Sequence, residues 1–251
     1  MVVVEAVREQ YFWLLKQTLS GMINDDPGFA PGTTARAFDP SRRAEGNDWP
    51  THAVTMIGLK RLDNLQYCVE QVLKSSVLGD LIETGVWRGG AAIFMKAVLR
   101  AYGDTTRNVW VADSFAGLPP SDVVNYPHDA AIDLSGYSVL AVSRAQVESN
   151  FRRYRQLDDR VRFLEGWFKD TLPSAPIERL SVLRLDGDLY ESTIQALDAL
   201  YPKLSVGGFV IVDDYGAVPG CRTAIEDYRA RHSITTPLVG IDWSGVFWQK
   251  T

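Results

Sequence analysis

The chain has 251 residues, 46% of them hydrophobic and 23% charged, enough to bury a full core and ordinary for a folded protein, so disorder is excluded. A net charge of −5 with Lys and Arg scattered along the sequence excludes nucleic acid as the natural partner, because phosphates are held by clustered cations. Acids interrupt the first apolar run too early for a signal peptide, and no stretch approaches a membrane span. Cys68 and Cys221 have no CxxC spacing and read as reduced thiols. The expectation is a cytoplasmic protein with no membrane partner.

Residues 4–24 carry Phe12, Leu15, Leu19 and Met22 at helical spacing, which predicts an amphipathic helix. Its apolar stripe, together with sheet edges, predicts a homo-oligomer, a dimer or larger. From Pro27 to Pro50 the sequence is Pro-, Gly-, Arg- and Asp-rich without period, and is read as a long functional loop or lid. Trp49 within it either anchors that loop or touches substrate. Residues 1–58 therefore form an N-terminal helix and lid extension, and 59–251 a single α/β domain. A second amphipathic helix is predicted over 59–75. The strand Asp80-Leu81-Ile82 runs into Glu83-Thr84-Gly85-Val86-Trp87-Arg88-Gly89-Gly90, and a helix follows over 91–102. Further strands are predicted at 108–112, 160–164, 180–185 and 209–212, with helices at 143–155, 191–200 and 221–231. Residues 116–140 read as a second mobile segment. The tail, 236–239 and 245–248, suggests an antiparallel hairpin at the edge of a parallel sheet.

The glycine-rich turn after Glu83 matches neither the dinucleotide nor the Walker pattern. An acid at that position would repel a pyrophosphate and suits a ligand with a cationic or hydroxyl-rich end, such as S-adenosylmethionine; a purely structural strand-to-helix corner is the alternative. Asp113 ends the next strand some two dozen residues on, where nucleotide-binding sheets keep the carboxylate for ribose hydroxyls. Gly166, with Trp167 and Phe168, offers either a wall for a flat ring or core packing. Glu83, Asp113, Glu165, Asp186, Asp188, Asp213 and Asp214 all fall at the C-terminal ends of predicted strands. So many acids on one rim require something positive among them, and carboxylates without His or Cys favour Mg²⁺. Gly187 lets Asp186 and Asp188 face different ways, one to metal and one to a substrate hydroxyl. Helix capping by Asp188 and Asp214 is the competing account. His128 and His232 are candidate bases, though a loop His is more often solvated.

Six strings, Thr55-Met56-Ile57-Gly58, 83–90, 109–115, 166–171, 185–188 and 212–215, closely resemble the macrocin O-methyltransferase family in register from about residue 48 to 231. The resemblance implies a class I S-adenosylmethionine-dependent methyltransferase fold of Rossmann-like α/β type. It also implies bound Mg²⁺ and methyl transfer to a sugar hydroxyl of a glycosylated natural product in antibiotic tailoring, with S-adenosylhomocysteine as the second product. It places Thr55, Met56, Glu83, Gly85, Arg88, Asp113, Ser114, Gly166, Trp167 and Asp186 at the cofactor. Asp186, Asp213 and Asp214 become the metal ligands, Asp188 the general base, and Trp49, Tyr137 and Tyr215 the acceptor border. Trp49 and Gly216 depart from the pattern of macrolide-modifying members, which leaves the aglycone open. The rivals are methylation of a catechol or phenol on the same fold, a NAD-dependent oxidoreductase, which lacks its GxGxxG here, and a silent binding protein.

Overall fold

The computed structural model describes residues 2–29 and 33–251; Met1 and residues 30–32 of the expected lid lie outside them. Helix α1 (Val2–Leu19) is followed by strand β1 (Gly28–Phe29), helix α2 (Pro40–Ala44), strand β2 (Trp49–Pro50) and helix α3 (Gly58–Lys74). The sheet domain continues through β3 (Asp80–Thr84), α4 (Gly90–Ala101), β4 (Val109–Asp113), α5 (Arg144–Arg153), β5 (Val161–Glu165), α6 (Phe168–Thr171) and β6 (Leu180–Leu185). It ends with α7 (Tyr190–Leu200), β7 (Leu204–Val212), α8 (Pro219–Arg231), β8 (Val239–Gly240) and β9 (Val246–Gln249). Among the described residues no helix is long and apolar enough to cross a membrane.

Seven strands form one sheet in the order β5-β4-β3-β6-β7-β9-β8. The first five are parallel, while β9 runs antiparallel to β7 and β8 antiparallel to β9. β6 is buried along its whole length because both faces of the sheet are covered. Alternate residues divide the core: Leu81, Val109, Val111 and Val182 pack with residues of α1, α3, α4 and α5, whereas Ile82, Trp110, Ala112 and Leu183 pack with those of α7 and α8. Chain direction across the sheet reverses between β3 and β6, and such a switch point opens a crevice at the strands' C-terminal ends.

The segment before Pro50 is more ordered than its composition predicts. β1 and β2 pair antiparallel, and α2 is capped by the Asp39 carboxylate. Arg43, fully buried, donates to both Asp48 oxygens at 2.8 and 2.9 Å and to the carbonyls of Ser20 and Asp26. Asp26 in turn accepts from the His52 and Ala53 amides. Side-chain to main-chain bonds of this kind order a chain without any hydrophobic period, which is why periodicity misses them. β7 begins five residues earlier than its apolar run implies: Leu204 already pairs with Leu180, and the register then shifts across residues 205–208, which include Gly207 and Gly208, before Phe209 pairs with Val182. The tail hairpin is present, shifted to Val239–Gly240 and Val246–Gln249.

Candidate active site

A cavity of about 420 Å³ opens at the switch point, within the range of small-molecule sites. The sheet divides its floor. Glu83 near the end of β3, Asp113 at the end of β4 and Gly166 just after β5 lie on one side, Asp186 and Asp188 follow β6 in the middle, and Asp213, Asp214 and Trp243 belong to the β7–β9 side.

The β3–β5 half is built largely from main chain. Gly85 has φ +85°, and a Cβ there would overlap the carbonyl oxygen of Asp186, so only glycine lets the turn lie against the end of β6. The Asp113 carboxylate accepts from the amides of Val86 and Phe115, each at 2.7 Å, and so holds two loops together while lining the cavity. Glu83 is 2% exposed; one oxygen accepts from Arg184 at 2.7 Å and the other has no partner. Burial pushes this acid up to about 8 although the Arg184 guanidinium pulls it down. Thr55, Met56, Ser114 and Trp167 also line the cavity.

The β6–β7 half is built from charge. Arg184, buried on β6, donates through Nη1 to Glu83 and to Asp186 at 2.6 Å, and through Nη2 to Asp213. Arg61 of α3 bonds the other Asp213 oxygen and Asp242, the latter at 2.7 Å. Two guanidiniums thus provide the positive charge that the acid-rich rim requires, and they hold Asp213 from both sides. Neither bonds Asp188 or Asp214. Burial first, then the neighbouring carboxylates, pushes Asp188 up to about 8 and Asp214 well above the carboxylate range. Two acids driven towards neutrality in this way are a place where a cation would restore their charge. Oxygens of Asp186, Asp213 and Asp214 all lie within 4.8 Å of one another, a spacing and donor set that fit a hard divalent ion. Asp188, with φ +61°, donates its amide to Asp214 at 3.1 Å.

Neither Asp188 nor Asp214 caps a helix. The first amides of α7, on Tyr190 and Glu191, go instead to Asp129, a buried carboxylate from the 116–140 segment, at 2.6 and 3.0 Å. That segment is thereby tied to the start of α7, and Trp87 ties its other end by donating Nε1 to the Val139 carbonyl.

Several expected residues stand elsewhere. Arg88 is not at the cavity: its guanidinium donates to the carbonyls of Pro50 and Ala53 and lies over the Trp87 ring. Tyr215 is turned to α8, its hydroxyl on Glu226 and its ring under Arg222. Tyr137 stands behind Trp49, ring to ring at 6.3 Å, and it is Trp49 that lines the cavity. Glu165 is exposed and pairs with Arg144. His128 and His232 stack on Tyr190 and Tyr228. Arg184, Arg61, Asp242, Asp129 and Trp243 were not singled out by sequence. A charge inside the apolar run Leu-Ser-Val-Leu-Arg-Leu of β6 was the one available signal, since a buried Arg needs carboxylate partners.

Comparison with known proteins gives consistent matches. The family described as Macrocin-O-methyltransferase (TylF) matches residues 8–250. An 8-demethyl-8-(2,3-dimethoxy-alpha-L-rhamnosyl)-tetracenomycin-C 4'-O-methyltransferase of Streptomyces olivaceus is 56% identical over 98% of this chain and 95% of its own. A mycinamicin III 3''-O-methyltransferase of Micromonospora griseorubida is 51% identical over 97% of each chain. Among solved structures, the O-methyltransferase NovP superposes with a TM-score of 0.93 at 51% identity, covering 97% of this chain and 99% of that one. The calicheamicin methyltransferase CalS11, at 21% identity and a TM-score of 0.63 over 78% of this chain and 80% of its own, shares the fold.

Proposed function

The chain belongs to the macrocin O-methyltransferase family, and on that premise we propose that it methylates a sugar hydroxyl of a glycosylated natural product in antibiotic biosynthesis, using S-adenosylmethionine and Mg²⁺. The observation that carries this reading is that the Asp186, Asp213 and Asp214 oxygens gather within 4.8 Å in the same cavity as Glu83 and Asp113. The donor supplies an electrophilic methyl group on a sulfonium, and the ion lowers the pKa of a nearby hydroxyl.

The residues of the chain do the rest. Asp113 keeps lone pairs free for donor hydroxyls while its two amide bonds fix its orientation. Glu83, with one oxygen unpartnered and driven towards neutrality by burial, would be drawn back to its charged form by the cationic end of the donor. Asp186, Asp213 and Asp214 would hold the ion, with Arg184 and Arg61 fixing Asp213 from both sides. Asp188, on the loop between them, takes the proton of the acceptor hydroxyl. Holding that oxygen in line with the methyl group provides much of the acceleration. Trp49 borders the acceptor, and Met56, expected at the donor, lines the same cavity. The α1 stripe of Phe12, Leu15 and Leu19 packs into this chain's own core, and it is the opposite, exposed stripe of Val3, Val7, Tyr11 and Leu14 that supports a homo-oligomer; two buried, unpaired cysteines accord with the cytoplasm.

The test is mass spectrometry on a panel of glycosylated antibiotic intermediates and, in parallel, catechols, each with donor and Mg²⁺. The expected result is a gain of one methyl on a glycoside. Methylation of catechols alone overturns the sugar assignment, and full activity after exhaustive chelation overturns the role of the metal.

A further inference from the structure

Trp243 lies on the loop between β8 and β9, at the far side of the cavity from Glu83 and Gly166, and half of its surface is exposed although it lines the cavity. An exposed indole is costly to hold still, yet this one is fixed in three ways. Its Nε1 donates to the Glu45 carbonyl at 2.9 Å, which joins the loop to the N-terminal extension. The Arg61 guanidinium stands over its ring, 5.4 Å from the centroid. Its main chain is seated by Gly216, whose amide donates to the Ser244 carbonyl at 2.8 Å and whose missing side chain leaves room for the Trp243 carbonyl; a Cβ there would overlap it. Asp242 is held by Arg61, and the Ser244 hydroxyl donates to the Asp213 carbonyl at 2.6 Å, so the ring is rigidly linked to the carboxylates.

We propose that Trp243 is a specificity-determining residue, the platform on which the acceptor sugar stacks. This rests on the sugar-methylating reading above and deepens it. The cofactor carboxylates lie over β3 and β4, so the β7–β9 side is left for the acceptor. There Trp243 lines the cavity, with the Met56-Ile57 main chain close to the Glu45-Gly46 stretch that Trp243 bonds, while Asp188, Asp213 and Asp214 form the polar edge. A pyranose is matched to such a site: its axial C–H face is weakly positive and meets the negative face of an indole, and its hydroxyls are left free for the carboxylates. A flat catechol could also stack, but it has no second set of hydroxyls across a puckered ring to register against that edge.

The experiment compares wild type, Trp243→Phe and Trp243→Ala with a glycoside from the panel. Kinetics are read for both substrates, and acceptor affinity is measured calorimetrically with S-adenosylhomocysteine bound. Trp243→Ala is expected to raise acceptor KM and Kd about tenfold. Donor KM and S-adenosylhomocysteine affinity should stay unchanged, which also reports intact folding. Trp243→Phe, which keeps a ring and loses the Nε1 bond, is expected to retain most of the affinity. Unchanged acceptor binding in Trp243→Ala, or a Trp243→Phe protein as impaired as Trp243→Ala, overturns the platform while the wild-type methylation still stands. A wild type that binds no glycoside overturns the sugar reading, and the platform with it.

Discussion

The two halves of the cavity are made by different means. On the β3–β5 side, short stretches of chain turn back on themselves and present main chain and a few acids, and the Asp113 contacts join residues 27 positions apart or fewer. On the β6–β7 side, charged groups meet from across the sequence: Arg184 reaches Glu83 over 101 positions and Arg61 reaches Asp242 over 181. Apart from Glu83, which Arg184 holds, the first half has its shape carried by backbone. The second depends on every member of a buried ionic network, where removing one partner leaves another charge unpaired.

This contrast can be broken most sharply at the carboxylates. Asp188→Asn should lower kcat by about 10²–10⁴-fold, the usual worth of a positioned acid or base, and Asp213→Asn should abolish turnover through loss of an ion ligand, while calorimetry shows donor binding intact. Near-wild-type rates in either variant would remove that residue from the reaction. Arg184→Met is the next largest effect and the one that crosses the divide, because Arg184 bonds Glu83 on one side and Asp186 and Asp213 on the other. About 3–5 kcal/mol of stability should be lost, as for a buried ion pair deprived of one partner, read as a lower denaturation midpoint with donor and acceptor affinity both reduced. Retained donor affinity would show the halves to be independent. Asp129→Ala should cost about 1–2 kcal/mol, the worth of a helix cap, and raise acceptor KM more than donor KM. Equal changes in the two would mean that the 116–140 segment serves both sides alike.

The same contrast explains what could be read from the sequence. The α/β order, the antiparallel tail and the positions of Glu83, Gly85, Asp113 and the paired aspartates follow from local patterns: apolar runs ending in glycine or acid. The brace around Asp213 could not be read that way. Arg61 sits on a helix whose apolar stripe explains its neighbours, and Asp242 lies in a loop of the tail, so nothing local marks them as partners. For the same reason the acid-rich rim overstated the need for a metal, since part of its positive charge comes from Arg61 and Arg184. Arg88 and Tyr215 sit next to site residues in the chain and are turned away from the cavity, since adjacency does not fix where a side chain goes. Asp129, hidden in a stretch of broken periodicity, takes the place at the start of α7 that Asp188 was expected to fill, and α8 has no side-chain cap at all.

The Arg61–Asp242 pair also bears on how the molecule is assembled. Joining residues 181 positions apart closes a loop whose entropic cost is recovered only after the strands between them have paired. As the chain leaves the ribosome, residues 80–186 are available before residue 242, so the donor side can take shape, with Arg184 already on Glu83, while Asp213 still lacks its second brace. Competence to bind the methyl donor should therefore arise earlier in folding than competence to transfer it.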